Sequence, residues 1–543
     1  MIFRGKSFYP ENYPADSRRK WLSMVTINEM LVNNARRYPD DIALVELKPS
    51  INYRRAITWK EFDDNASRIA NYLMAKGIKR DDKVIHWMRN SINWLIAYFG
   101  IIKTGAWAVP LNYRFNAHDF KFCTDIAEAK AIIFEDEFTR FVEEVKPPTI
   151  KDYIYSGPNL PEGMVHYDGV LKESSAQPVD VKLTPEDECG LYFTSGTTGS
   201  PKPVLLTHKN MTFAAKTEQA HHHQTRKDNF IILPPLYHTG AKMHWFGSLI
   251  SGSRGTILTE FSPQNVLDAV SNEKGTIVWL LVPWVHDILV ALEKGELKLS
   301  DFNLKTWRLM HIGAQPVPPQ LVIHWRDYFP DMQYDNNYGL SESTGPGAVH
   351  LGLENDFKAG AIGKAGNGWE LKIVHIDDNR NIPPWMVGEL CVKGDGIMKE
   401  YYKNPEMTAK TIQNGWLHTG DMARIDNEGY VFLVDRKKDV IISGGENIYP
   451  IEVEDAIHEH PKVYDVAVIG ISDPRLGEIV GAVIDPKPGE QITEDEIKIF
   501  VEKALPRYKR PRKYIFDKVP RNATGKIEKT RLRLKYSGNV MGR

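Results

Sequence analysis

The sequence of 543 residues holds only three cysteines, Cys123, Cys189 and Cys391, and they lie far apart. That spacing excludes a disulfide framework and a cysteine metal cluster, and it predicts three reduced, buried thiols. Net charge is equally scarce: 69 Lys and Arg against 70 Asp and Glu leave −1 with histidine neutral. No global field therefore points to nucleic acid or to an acidic membrane surface. Long apolar runs are missing as well. The longest, residues 277–285, is interrupted by Pro283 and falls far short of the ~20 residues of a membrane span. The opening stretch MIFRGKSFYPENYP carries no apolar signal core, and the closing GNVMGR matches no peroxisomal or prenylation signal. The expectation is a soluble cytoplasmic protein with no nucleic-acid partner and no membrane span.

What is present is a large globular composition, 42% hydrophobic and 26% charged, long enough for two to four domains. Thr58-Trp-Lys-Glu61 reads as a capping box, in which hydroxyl and carboxylate satisfy amides at a helix start. Phe62, Ala66, Ile69, Ala70 and Leu73 then share one helical face, and Gly77 can end the helix. Apolar β-type runs follow at residues 190–193, 230–233, 276–282, 307–312 and 332–334, alternating with helical patterns. This rhythm predicts an α/β fold with parallel-rich sheets, in which ligands sit beyond the carboxyl ends of strands. After about Gly388 the pattern becomes short β segments with glycine turns, a small β-rich subdomain. A compact α+β segment comes last, with a helix at 451–457, a strand at 463–471 and a second capping box at Thr493 to Glu496. The charged run DRKKD, residues 435–439, reads as a surface hinge. It divides a large N-terminal domain, 1–435, from a small mobile C-terminal domain, 436–543.

Residues 194–204 read TSGTTGSPKPV. A Walker loop needs a second glycine directly before its lysine and a hydroxyl after it; both are absent. The stretch still suits phosphate. Gly196 and Gly199 let amides turn inward, Thr194, Ser195, Thr197 and Thr198 offer hydroxyls, and Lys202 brings a positive charge. Further on, Ser341 and Glu342 form a hydroxyl–carboxylate pair suited to Mg²⁺ and phosphate. Asp421, after a glycine turn, can accept ribose hydroxyls. Gly444 and Gly445 sit in a glycine-rich turn near the hinge, and Lys526 follows a glycine turn near the end of the chain.

The order and wording of these segments resemble the adenylate-forming superfamily of acyl-CoA synthetases, luciferases and peptide-synthetase adenylation domains, from roughly Ile27 to Leu534. Among its members the chain looks most like ligases of medium-chain or cyclic and aromatic carboxylates. The resemblance implies ATP, CoA and Mg²⁺ as cofactors, a small carboxylic acid as partner, and a second copy of the chain as a further candidate partner. It implies that Thr194 to Lys202 wraps the phosphates that leave as pyrophosphate. Gly313, Ala314, Gln315 and Tyr338 would enclose adenine, with Asn336 at its amine. Ser341 would meet the α-phosphate, Glu342 would hold Mg²⁺, and Asp421 with Arg436 would bind ribose. Lys526 would bridge the carboxylate and the α-phosphate. His238 would gate the acyl and pantetheine passages, Lys438 would be the hinge, and Gly444–Gly445 would line the thiol tunnel. The implied activity is acyl-AMP formation followed by thioester formation.

One departure is Pro203, where the family usually has glycine; it predicts a stiffer last turn of the phosphate loop. Met243, Trp245, Phe246, Trp284, Asn337, Gly339 and Ala348 are the candidate acyl pocket, and the bulk of two Trp and a Phe favours a compact ring or branched acid over a long chain; the resemblance to ligases of medium-chain or cyclic acids implies a benzoate- or cyclohexanecarboxylate-like acid. His221-His222-His223 reads as an exposed polar stretch and not a metal site, because neighbours in sequence do not share a helical face. A carrier-loading acyl-AMP ligase is the alternative enzyme. A nucleotide-binding regulator without chemistry fits poorly, because Lys526, Glu342 and Asp421 are all present.

Overall fold

A computed structural model describes residues 2–4, 25–194, 201–313, 317–351, 358–376, 378–444, 446–521 and 527–537. The Thr58 box forms as read. Its hydroxyl accepts from Glu61 N, and the Glu61 carboxylate accepts from Thr58 N at 2.8 Å. Helix Trp59–Ala75 buries Phe62, Ala66, Ile69, Ala70 and Leu73, and the chain leaves it through Gly77 at φ +86°. That face meets helix Ile92–Lys103, which is buried along its whole length. Gly100 permits the close approach, since a Cβ there would lie 2.5 Å from Ile69 Cβ.

Among the described residues the strands form four sheets. An eight-stranded and a nine-stranded sheet, both parallel at their centres, enclose a helical layer that carries the largest core. Helices Pro263–Glu273, Val282–Glu293 and Pro319–Tyr328 cover the other face of the nine-stranded sheet. A six-stranded antiparallel sheet joins strand Phe3–Arg4 to five strands between residues 370 and 436, and a five-stranded sheet is built from residues 441–516. Strand Val431–Arg436 is in the former and Ile441–Ser443 in the latter, so the chain crosses between them through residues 437–440. The fold is α/β with a large parallel-rich part and a smaller α+β part, as the alternating pattern predicts.

Three local expectations change. Strand Gln333–Gly339 continues well past residue 334 through the polar run Asp335-Asn-Asn-Tyr338, because those side chains find partners on a neighbouring strand, a helix end, a loop and a second sheet. Asp421 lies inside strand Trp416–Ile425 and not after a turn; Gly420, at φ +72°, takes the local irregularity. Pro203 lies in strand Lys202–Thr207, opposite Phe193, and its carbonyl accepts from Tyr402 N at 2.8 Å. It stiffens the stem of the hairpin, and the turn itself lies outside the described residues.

On the outer face of the eight-stranded sheet, Trp87 is stacked on Phe138 at 4.4 Å and on Phe120 at 5.0 Å, and its Nε1 donates to Asn112 O. Trp87→Ala is expected to cost about 3–5 kcal/mol, measured as a lowered urea midpoint of the near-ultraviolet dichroism signal.

Candidate active site

The candidate phosphate segment starts and ends on a strand ladder. Thr194 ends strand Glu188–Thr194, Lys202 begins the next, and the two pair directly. Ser195, Gly196, Thr197, Thr198 and Gly199 lie outside the described residues. The ladder aims Lys202 at Tyr401, with Nζ 5.5 Å from the ring centroid. The Tyr401 hydroxyl in turn donates to Glu342 Oε1 at 2.7 Å. Burial and the Glu342 carboxylate hold the Tyr401 phenol well above its usual range. Glu342 belongs to a short 3-10 turn, Ser341–Ser343, and Thr239 Oγ1 donates to Ser341 Oγ at 3.3 Å.

A second group forms around Asp421. The Tyr338 hydroxyl donates to its Oδ2 at 2.5 Å, and Arg436 Nε lies 2.6 Å from Oδ1. Asp421 and Arg436 also face each other in the antiparallel ladder. Burial, then the Asp421 charge, pushes the Tyr338 phenol far up. Burial would lower the Arg436 pKa, but the negative charge of Asp421, with more distant help from Glu342, raises it. Asn336 Nδ2 donates to Ala361 O at 3.1 Å. Gly313 ends strand Leu309–Gly313 beside Asn337; Ala314 and Gln315 lie outside the described residues.

His238 caps helix Thr239–Ser251, its ring 4.3 Å from that of Tyr237. The acyl-pocket candidates do not all come together. Met243 sits near Gly345 and Ala214, and Ala348 stands opposite Tyr338 in the sheet. Asn337 donates to Glu218 Oε1 at 3.0 Å, whereas Gly339 is exposed. Trp245 packs against Gly255, and Phe246 packs against Tyr98 and Phe99, so both serve the core between the two large sheets. Trp284 stacks on Phe261 at 4.8 Å on the opposite face of the nine-stranded sheet. Aromatic content alone does not tell a pocket wall from a core.

The histidine run departs further from expectation. His222 is fully buried and the His221 side chain is only 11% exposed. His221 ends the helix and His222 is its C-cap, so the chain turns there and both rings reach Asp335.

Beyond the six-stranded sheet, Lys438 reaches the surface. Local packing, then the charges of Arg436, Arg533 and Lys202, outweigh Asp439 and lower its pKa. Gly444 takes φ +61° in an exposed turn, and its N donates to Leu476 O at 2.9 Å. Gly445 and Lys526 lie outside the described residues.

Sequence reasoning missed four residues. Tyr401, Thr239 and Glu218 act by holding Glu342, Ser341 and Asn337, and nothing local in the sequence marks them. Lys242 is fully buried, with Nζ 4.1 Å from the Tyr192 centroid and donating to His238 O at 3.3 Å. Burial drives its pKa well below that of an ordinary lysine. A lone cation in the apolar stretch AKMHWF was its signal.

Residues 31–402 match the family model described as AMP-binding enzyme, and residues 452–526 match the AMP-binding enzyme C-terminal domain. The chain is 32% identical over 523 residues to a long-chain-fatty-acid–CoA ligase of Mycobacterium tuberculosis, covering 95% of this chain and 100% of that protein. It is 32% identical over 485 residues to a feruloyl-CoA synthase of an Amycolatopsis species, covering 89% and 94%. The structure of O-succinylbenzoate coenzyme A synthetase from Bacillus subtilis, in complex with ATP and magnesium ion, superposes with a TM-score of 0.81. It is 26% identical and covers 93% of this chain and 99% of that one.

Asp435, next to Arg436, accepts from Ile451 N at 2.9 Å. Burial pushes its carboxyl up to about 6 despite Lys529 nearby, against an ordinary value near 4. The folded chain therefore holds this proton more tightly than the unfolded one. The group favours folding below about pH 4, and that advantage is lost as pH rises through about 6. Asp455, raised to about 6 by burial and by neighbouring carboxylates, acts in the same sense. Asp435→Asn is expected to reduce the fall of the thermal midpoint across this window; an unchanged slope would assign the titration elsewhere.

Proposed function

The chain belongs to the AMP-binding enzyme family, and on that premise we propose that it is an ATP-dependent carboxylate–CoA ligase. It forms acyl-AMP and pyrophosphate first, then acyl-CoA and AMP. One observation carries the reading. The Lys202–Tyr401–Glu342 group and the Tyr338–Asp421–Arg436 group adjoin, closely enough for Glu342 to contribute to the field at Arg436. Together they supply a cation and a metal-binding carboxylate for phosphates beside a buried acceptor for a ribose.

A carboxylate resists direct attack by a thiol, and transfer to the α-phosphorus of ATP makes it a good electrophile. Lys202 and the hairpin amides steady the departing pyrophosphate. Tyr338, with Gly313, Ala314 and Gln315, encloses adenine, and Asn336 meets its amine. Asp421 has lone pairs beyond those used by Tyr338 and Arg436, and these accept ribose hydroxyls. Glu342 would hold Mg²⁺: one half-buried carboxylate beside the Ser341 hydroxyl, completed by phosphate oxygens, suits this hard cation. When bound, the ion offsets charge on the phosphates. Lys526 bridges the carboxylate and the α-phosphate and stabilises charge developing in transfer. His238 gates the passage to the thiol.

The hinge lies near residues 435–439, with Lys438 as the hinge position, and divides 1–435 from 436–543. Its turning exchanges Lys526 for the Gly444–Gly445 turn, which lines the pantetheine tunnel. The acid is compact: medium-chain, aromatic or alicyclic. Relatives named for a long-chain fatty acid and for ferulate bracket this range. The buried, unbridged cysteines support a cytoplasmic site of action.

The reading is tested by pyrophosphate release over a panel of acids, with mass detection of CoA thioesters. A compact ring or medium-chain acid is expected to give both products. Acyl-AMP without thioester would favour the carrier-loading alternative, and neither product from any acid would remove the ligase reading. Lys526→Ala should lower acid-dependent pyrophosphate release by at least about 100-fold with ATP binding retained. In Lys438→Pro, acyl-AMP formation should persist while thioester formation is lost. Equal loss of both half-reactions would count against domain rotation.

A further inference from the structure

Behind Asn337, five ionisable side chains converge where two strands and a helix end meet. His311 comes from strand Leu309–Gly313 and Asp335 from strand Gln333–Gly339. Glu218 and His221 come from the last turn of helix His208–His221, and His222 is its C-cap. Asp335 Oδ1 lies 2.6 Å from His221 Nε2, and its Oδ2 lies 2.6 Å from His222 Nε2 and 2.7 Å from His311 Nδ1. His222, His311 and Asp335 offer ligand atoms that all lie within 4.8 Å of one another, and all three residues are buried. The second nitrogen of His222, Nδ1, stands 3.3 Å from Glu218 Oε2. Phe230 and Trp279 pack on the cluster.

We propose that His221, His222, His311 and Asp335 form a structural site for one divalent transition-metal ion of the Zn²⁺ class. Three imidazoles and a carboxylate are a closed four-ligand set for such an ion and a poor one for Mg²⁺, which prefers oxygen. The contact from Glu218 to the non-ligating nitrogen of His222 is the outer carboxylate that orients and polarises a metal-bound imidazole. Charge favours the ion as well. With neutral imidazoles, Asp335 and Glu218 place two negative charges in one buried volume, and a divalent cation balances them. The nearby guanidinium of Arg308 is engaged by Asp228 at 2.9 Å, while its Nη2 donates to the His222 carbonyl. The helix carboxyl end adds a favourable field for a cation. Donors around a tetrahedral ion with bonds near 2.0–2.1 Å stand roughly 3.3 Å apart, so the His222 and His311 rings need to move off Asp335 by well under 1 Å, whereas His221, which meets the other carboxylate oxygen and stands outside the group of three, has to turn toward them to complete the set. The ion pins the helix end to the two strands that lead to Gly313 and to Asn336–Tyr338.

The test uses untagged full-length protein, independently of ligase activity. Elemental analysis is expected to find about one Zn²⁺ or similar ion per chain. Removing the ion with a strong chelator should lower the thermal midpoint, and adding Zn²⁺ back should restore it. Co²⁺ refilling should give the visible absorption of a tetrahedral site. His221→Gln, at the most accessible ligand, should weaken retention at least about 10-fold, whereas His324→Gln, at a half-buried histidine on helix Pro319–Tyr328, should not. Asp335→Asn should abolish the cobalt spectrum, and His221→Gln keeps the test open if that variant fails to fold. Metal-free protein that takes up neither ion and keeps its thermal midpoint under chelator would overturn the proposal and leave the cluster as an imidazolium–carboxylate network.

Discussion

The carboxylate of Asp421 joins three parts of the chain. It lies in the six-stranded sheet, accepts the hydroxyl of Tyr338 from the nine-stranded sheet, and pairs with Arg436 at the last residue of strand Val431–Arg436. A buried carboxylate is tolerated only when such partners satisfy it. The same partners fix the distance between the two sheets at the mouth where ligands of parallel α/β folds collect. The candidate ribose acceptor, the candidate adenine platform and the start of the hinge are therefore set by one small network. Changing any member disturbs the others, so single substitutions there would not read as independent roles.

The phosphate end follows a similar logic on a different frame. Lys202 is held by a strand ladder and Glu342 by the Tyr401 hydroxyl. Both groups are thus held by partners on regular strands, and Pro203 stiffens the strand that starts at Lys202. The cluster around Asp335 ties strands Leu309–Gly313 and Gln333–Gly339 to a helix end. The polar run Asp335-Asn-Asn-Tyr338 is therefore one strand serving two polar sites, with alternate side chains turned to opposite faces.

Periodicity and capping made the α/β alternation legible. The Thr58 box and the apolar face of the helix it opens needed only local rules, because the hydrogen bonds involved span three residues. The order of the phosphate, ribose and terminal-lysine segments was legible as a family resemblance. Burial was less so. Trp245, Phe246 and Trp284 are equally apolar in sequence, and only the sheet faces they meet separate core from pocket. The histidine run was misread because a helix was assumed to continue through it. Ending at His221, the helix lets two adjacent rings converge on one carboxylate.

The sequence by itself determined where helices start and which runs become strands, since each depends on neighbours a few residues away. Tertiary structure alone decided that Tyr401 holds Glu342, that Glu218 holds Asn337, and that Asp335 gathers three histidines. Those contacts join residues brought together only by the packing of sheets and helices, and no local pattern encodes which polar group will be the one buried beside another.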